Sequence, residues 1–500
     1  MTDVLIIGAG PSGLFAAGEL ARHGVSARLI ERLPTPHLQS RATSVQPSTL
    51  EMFARIGLLE SFIQNSVILR RAVVTDGSFR TLSSSTLDGM DTPYSFKCSL
   101  PQFKTEELLD QHLQSLGGSV ERGVRAGSIE LQDQGSRVVL EHSDGRREEV
   151  FARYVIGAGG AHSPVRGALH EHLEGKTYPL RYLVADIAGD IPFEPGCMAV
   201  IVSGNGIAFY AALPGNRGLV IVDRPDGPIQ ETPSREELLA ALRLHLEKVP
   251  EISDIRWASY FHTHRRIAPK FGDGRRFLVG DAAHICSPFG GTGLNAGLHD
   301  AADIAWKLAL VLKGWALPSL LDSYNEERIH VANQILSMTD AAHLGYYQMV
   351  SQMAAGEKNP HLPTNEKQIS PSLLDVSLGE SRLVGCHPAA GSTENTNSPG
   401  QRFRDRTLLR GKAHHLVTFK GKRNTDPDPR VFLRRWGRLI QVSDASSLRP
   451  DLPSRVGMDE GGAMLIRPDG YIGYRADPWN EAAMQALDSH LAVNFIKQEP

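Results

Sequence analysis

The 500-residue chain reads as an α/β protein built in several layers. Three observations carry that reading. A short apolar run, Val4 to Ile7, enters Gly8-Ala9-Gly10-Pro11-Ser12-Gly13, a G-x-G-x-x-G turn between a strand and a helical pattern. A second apolar run, Arg276 to Gly280, ends on Asp281-Ala282-Ala283-His284. Between them, Arg181 to Ile187, Met198 to Val202, Ile207 to Leu213 and Gly218 to Val222 read as strands separated by Gly, Pro and Asn turns.

The first motif has a complete βαβ setting. Pro11 and Ser12 open a helix whose apolar positions are Leu14, Ala17, Leu20 and Ala21, and Gly24 stops it. Val25 to Ile30 is the next strand, closed by Glu31 and Arg32, with Glu31 at the distance expected of a ribose ligand. Gly8 permits the tight turn, Gly10 lets backbone approach a pyrophosphate, and Gly13 lets helix and strand pack closely. The helix N-terminus offers unpaired N–H groups to phosphate oxygens. An ordinary Gly-rich turn would leave Glu31 and the apolar strand unexplained. The motif alone leaves NAD, NADP and FAD open.

The second motif places Asp281 at the carboxyl end of a strand, where open α/β sheets hold ligands. Leu294 to Lys313 is strongly helical, with Leu298, Ala301, Ala302, Ala305, Leu308, Ala309 and Leu312 on one face and Gly314 as its stop. Pro288 and the glycines Gly290, Gly291 and Gly293 precede or open that helix and expose backbone N–H groups to a flat ligand. A third run, Tyr154 to Arg166, reads Gly157-Ala158-Gly159-Gly160-Ala161-His162-Ser163-Pro164-Val165-Arg166. It has no downstream βαβ unit of its own, so it is not a second dinucleotide fold.

Together the three segments resemble the single-component FAD aromatic hydroxylases. The resemblance implies a Rossmann-like FAD-binding domain, an inserted β-rich substrate domain and a C-terminal thioredoxin-like α/β domain. It assigns flavin contacts to Gly8, Gly10, Ser12, Gly13, Glu31, Arg32, Arg41, Gln102, Gly159 and Asp281, and to Pro288, Gly291, Thr292, Gly293, Leu294 and Asn295. Asp281 would bind the ribitol, Pro288 would lie over the reactive edge of the ring, and the Gly290 to Asn295 turn would meet its pyrimidine end. Leu100-Pro101-Gln102 would precede a helix starting near Thr105-Glu106-Glu107. One departure stands out: the family has Asp-Gly where this chain has Gly159-Gly160. The acidic residue assists both flavin and nicotinamide in the family, so reduction by NADPH is the step its loss would affect.

Strand and helix patterning divides the chain, and the resemblance names the parts. Residues 1–75, 100–175 and 265–345 would form the FAD-binding domain, 76–99 and 176–264 the substrate domain, 346–400 a helix and a linker rich in Pro, Ser, Asn, Gly and Thr from about 355, and 401–500 the thioredoxin-like domain. The last segment holds no Cys-x-x-Cys, which excludes thiol exchange by that domain. Isolated Cys98, Cys197, Cys286 and Cys386 suggest neither a metal site nor a disulfide framework. Cys286 beside Pro288 reads as a small filler. A net charge of −3 leaves no nucleic-acid footprint, and no apolar run reaches a membrane-spanning length. A strand begins within three residues of Met1, so no signal peptide is expected and a cytoplasmic location is. A homodimer is compatible with this reading.

The implied chemistry has NADPH or NADH reduce FAD as a transient co-substrate. O2 then adds at the flavin C4a carbon, and the resulting hydroperoxide hydroxylates a phenolic or polyketide-like ring. The protein's task is to position the ring and exclude water. Tyr182, Tyr210, His262 and His264 are the candidate partners of a substrate hydroxyl. The alternatives are a related flavoenzyme doing Baeyer–Villiger, epoxidation or halogenation chemistry, and a weakly active flavin-binding partner protein, which the Gly159 departure would suit.

Overall fold

The computed structural model describes residues 1–36, 42–224, 232–361, 372–387, 397–420 and 427–498. Thr2–Ile7 lies parallel between Ala27–Glu31 and Arg147–Gly157; Val120–Arg122 extends the sheet beyond Ala27–Glu31. Arg147–Gly157 changes partner along its length. Its first half pairs antiparallel with Gly135–His142, and Val155 to Gly157 run parallel to Arg276–Leu278. The register sets Ile7 level with Gly157, and Gly157 level with Leu278. The carboxyl ends of the strands carrying all three motifs therefore converge on one edge.

Helix Pro11–Arg22 begins at a first-turn proline and gives way to Gly24 at φ +75°, a left-handed stop that suits glycine. It packs very closely on helix Gly293–Leu312. A Cβ on Gly297 would sit 2.4 Å from Ser12 Oγ, and one on Gly13 would sit 1.9 Å from the Gly8 carbonyl oxygen. The expected start of the next helix near Thr105 moves forward: the helix spans Gln102–Ser115 with Pro101 as its N-cap residue. Proline fixes φ at a helix entry, which outweighs the capping pattern three residues on.

The second sheet has eight strands in the order His284–Ile285, Ile252–Ile267, Glu174–Gly189, Arg217–Arg224, Gly206–Leu213, Cys197–Ser203, Arg71–Thr75, Thr81–Thr86. Arg71–Thr75 thus joins this sheet, while Lys97–Ser99 pairs instead with Ser44–Val45 and Val67–Leu69. Alternation separates the faces. Leu183, Ala185, Ala208, Tyr210, Val220 and Val222 cluster with Leu238, Ala241 and Leu242 of helix Arg235–His245. The neighbours Val184, Phe209, Leu219, Ile221 and Phe261 face a cleft on the other side. Ser234 and Glu237 form a reciprocal capping box at the start of that helix.

A third sheet runs Gly385–His387, Ile472–Ala476, Gly462–Ile466, His414–Phe419, Ile440–Asp444. Within the stretch expected to be helix and linker, helix Asp322–Ala354 ends where the linker is expected to begin. The linker part is more ordered than expected where it is described: Leu373, Val376 and Leu378 are buried against Val331, Ile335 and Tyr471, and Gly385–His387 supplies an edge strand. Its Pro, Ser and Asn content hides a few well-spaced apolar anchors. No described helix is long and apolar enough to cross a membrane.

Candidate active site

A cleft of about 1440 Å³ runs along the converging strand ends. One end is lined by Gly8, Gly10, Glu31 and Arg32, the middle by Gly159, Arg166 and Asp281, and the far end by Pro288 and the open face of the eight-stranded sheet.

The first end is made largely of backbone. Gly8 sits at φ +109°, and a Cβ there would lie 2.5 Å from the Ala158 carbonyl oxygen, so only glycine keeps the first and third motifs in contact. Nothing lies within 4 Å of the position a Gly10 Cβ would take, so the chain opens there onto free space. The Glu31 carboxylate accepts from the Ala9 N–H at 2.9 Å and the Leu33 N–H at 3.0 Å while lining the cleft. Glu31 therefore shapes the turn as well as facing a ligand. Arg125, which no motif marked, lines the same end beside Arg32. Arg41 lies outside the described residues.

In the middle, Gly280 turns at φ +58° and its N–H donates to Asp300 Oδ2 at 3.0 Å. The turn presents Asp281, an exposed residue, to the cleft. Arg166 donates to the Ala282 carbonyl at 2.9 Å and to that of Ala161, joining the second and third motifs. Gly159 adopts φ −76°, which any residue tolerates, and a Cβ would meet Pro164 Cδ at 3.3 Å. Gly160 takes φ +68°, the left-handed position, with open space around it. Gln102 lines the cleft and donates to Glu106 Oε1 at 2.9 Å across one helical turn.

The turn before helix Gly293–Leu312 holds Gly290 at φ +98° and Gly291 at φ +64°. Gly291, Thr292, Gly293 and Leu294 line the cleft, whereas Asn295 does not. Asn295 is fully buried and clamps the turn instead. Its amide donates to the Ser44 carbonyl at 2.9 Å and the Gly291 carbonyl at 3.0 Å, and its oxygen accepts from the Gln46 N–H at 2.8 Å. Gln46 Nε2 adds bonds to the carbonyls of Gly290 and Gly291. An Asn that pins carbonyls looks, in sequence, like one that meets a ligand. Burial, reinforced by Asp281, pushes the Cys286 thiol up to about 12, so it stays neutral in its filler position.

At the sheet end, Pro288, His262 and His264 line the cleft, with Phe209, Ile221 and Phe261 as apolar wall. His264 Nδ1 lies 2.9 Å from Thr177 Oγ1, and Arg181 Nε donates to His262 Nε2 at 3.1 Å. Burial, then Arg266 and His262, hold the His264 imidazole below its usual range, which favours the neutral ring. The two tyrosine candidates do not line the cleft, the first because of the pleat and the second because a helix covers it. Tyr210 points to the opposite face and stacks on Phe193 at 5.3 Å. Tyr182 shares the cleft face of the sheet and stacks on Phe261, but helix Asp322–Ala354 covers it: its hydroxyl lies 2.8 Å from that of Tyr347, which donates to Asp223 at 2.8 Å. Period-2 alternation places Tyr210 opposite Phe209, but sequence alone does not say which face is open.

These features fit FAD: a glycine cradle with a helix N-terminus, carboxylates at Glu31 and Asp281, and a glycine turn opening toward an apolar wall. Among the described residues there is no group of three His, Cys, Asp or Glu side chains suited to a metal ion. Residues 1–339 match the family model for an FAD binding domain. The pentachlorophenol 4-monooxygenase of Sphingobium chlorophenolicum is 34% identical, covering 98% of this chain and 96% of the relative. The rifampicin monooxygenase of Streptomyces venezuelae is 29% identical over 96% of this chain and 97% of that protein. Among solved structures, a ternary complex of aklavinone-11 hydroxylase with FAD and aklavinone superposes with a TM-score of 0.80 at 26% identity, covering 98% of both chains.

Proposed function

The chain belongs to the FAD binding domain family of single-component aromatic and polyketide monooxygenases, and from that premise we propose that it hydroxylates a phenolic or polyketide-like ring at the expense of NADPH or NADH and O2. The observation that carries the proposal is one continuous cleft joining the glycine cradle, through Asp281 and Pro288, to an apolar sheet wall. When bound, FAD supplies the redox chemistry that activates O2. Gly8, Gly10 and Ser12 would hold its phosphates, Glu31 its ribose and Asp281 its ribitol. The N-terminus of helix Gly293–Leu312 favours negative charge, as the pyrimidine end of a reduced flavin carries. Pro288, Phe209 and Ile221 would keep water from the reacting edge; His264 would accept a hydrogen bond from the substrate hydroxyl, or His262, whose Nε2 already accepts from Arg181, would donate one from Nδ1.

The deciding experiment adds FAD and NADPH to the full-length protein with a panel of phenols and polycyclic phenols. NADPH oxidation that rises with one class, accompanied by a product one oxygen heavier whose oxygen derives from 18O2, supports the proposal. A ring-expanded lactone or an epoxide would favour the related chemistries. A second reading, a flavin-binding partner of low turnover, is favoured by Gly159 alone; yellow protein with no substrate-stimulated NADPH oxidation would establish it.

A further inference from the structure

A buried ionic network links the C-terminal sheet to the cofactor turn. At its near level, Asp300 is fully buried on helix Gly293–Leu312. Oδ2 accepts from the Gly280 N–H at 3.0 Å and lies 2.7 Å from His284 Nε2, while Oδ1 accepts from Arg328 Nε at 2.7 Å. Asp300 therefore holds both ends of the Gly280 to His284 segment that presents Asp281. These partners keep its carboxyl well below the usual range against the opposing effect of burial.

The far level lies one and two turns further along the same helix. Lys307 donates to Asp303 at 2.8 Å and to Glu327 at 2.7 Å, and Glu327 adjoins Arg328 on helix Asp322–Ala354. Into this level comes Arg467, 1% exposed, from the turn after Gly462–Ile466. Its guanidinium donates to Glu327 at 2.6 and 2.8 Å and to Asp303 at 3.0 Å, and it also pairs with Asp469. Four carboxylates (Asp300, Asp303, Glu327, Asp469) thus meet Lys307, Arg328 and Arg467. Without Arg467, two of these cations would face four carboxylates at a buried site, an arrangement that forces groups apart.

We propose that Arg467 is a positioning residue for the cofactor: by tying Asp303 to Glu327 it fixes the spacing of the two helices, and so the Arg328–Asp300 contact that holds the Gly280–Asp281 turn. The C-terminal sheet, which lacks a dithiol, thereby supports the flavin site through one buried guanidinium. This rests on the reading that Asp281 faces FAD.

The test is FAD affinity, read by flavin fluorescence quenching on the full-length chain. Wild type, Arg467→Met, Arg467→Lys, Asp281→Ala and the double variant Asp281→Ala/Arg467→Met are compared, with circular dichroism as the check on folding. Arg467→Met is expected to weaken FAD about tenfold and Arg467→Lys about threefold. In the Asp281→Ala background, the further loss from Arg467→Met should shrink below about twofold, because the residue acts through that turn. A merely structural role predicts the same loss in both backgrounds, and that additive result overturns the proposal, as does wild-type affinity in Arg467→Met. Should Arg467→Met fail to fold, Arg467→Lys is read through the same cycle: a loss that disappears with Asp281→Ala supports the relay, and one that persists overturns it. A wild-type protein that takes up no FAD would sink the cofactor reading itself, a distinct outcome.

Discussion

The two ends of the cleft are built on different physical terms. At the nucleotide end, glycines close the gaps: backbone meets backbone at Gly8 against Ala158 and Gly13 against Gly8, and Gly280 and Gly297 leave room for the Ser12 hydroxyl. Each contact admits no side chain, so the residue type is dictated by geometry and repeats at fixed spacing. At the sheet end, Phe209, Ile221 and Phe261 form a wall from alternating strand positions. Any apolar set of suitable volume would serve there. The first end therefore tolerates almost no change, and the second is where substrate preference is free to vary.

The largest expected effect is at the tightest contact. In Gly13→Ala the new Cβ would lie 1.9 Å from the Gly8 carbonyl oxygen, and both sides of that contact are backbone. Neither can rotate away, so the cradle must open. We expect FAD affinity to fall more than about a hundredfold, or the chain to become insoluble. The absorbance ratio of bound flavin to protein measures it. A variant that purifies with its full complement of FAD would break the contrast between the two ends.

Next comes Asp281→Ala, which removes a charged acceptor while leaving the Gly280 N–H bond to Asp300 in place. Loss of one charged hydrogen bond costs about 1.5–3 kcal/mol, so FAD should bind roughly tenfold to hundredfold more weakly. Equilibrium titration of apoprotein with FAD gives the value; unchanged affinity would show that the cradle alone retains the cofactor.

How much was legible follows from the same contrast. The βαβ unit, Glu31 and the Asp281 turn could be read because spacing there is fixed by covalent reach and steric exclusion. Asn295 was misread because a clamp on carbonyls and a ligand contact demand the same residue type. Gln46 and Arg125 carried no local signal: each acts across hundreds of residues or from a strand end with no motif. Tyr210 fell on the wrong side because alternation fixes which residues share a face and leaves open which face meets the cleft. The Arg467 network was invisible for a further reason: its members lie on three distant elements, and each alone looks like a solvated charge.

A smaller effect is expected at Gly159, between the two ends. Its φ of −76° suits any residue, and the closest contact of a new Cβ, 3.3 Å to Pro164 Cδ, asks for only a slight shift. Gly159→Asp should therefore fold and keep FAD. If the missing carboxylate is what slows the nicotinamide step, stopped-flow reduction by NADPH should accelerate about tenfold, equivalent to one modest charged interaction. An unchanged rate means another group already fills the role; loss of FAD means that backbone approach at this glycine matters after all.

The smallest predicted effect sharpens the comparison most, because it concerns adjacent residues. Phe209 lines the cleft and Tyr210 is buried on the other face against Phe193 and the helix Arg235–His245 cluster. Phe209→Ala enlarges the wall, so we expect KM for the best aromatic substrate to rise about fivefold with FAD affinity intact, in line with one partly buried ring. Tyr210→Phe retains the ring and its stacking and removes only a hydroxyl remote from the cleft. We expect kcat/KM to change by less than about twofold and stability by less than about 0.5 kcal/mol. The paired measurement is steady-state kinetics with the same substrate on both variants. If Tyr210→Phe proved the more damaging, a hydroxyl on the far face would be coupled to the reaction, and the assignment of one sheet face to substrate and the other to packing would fail.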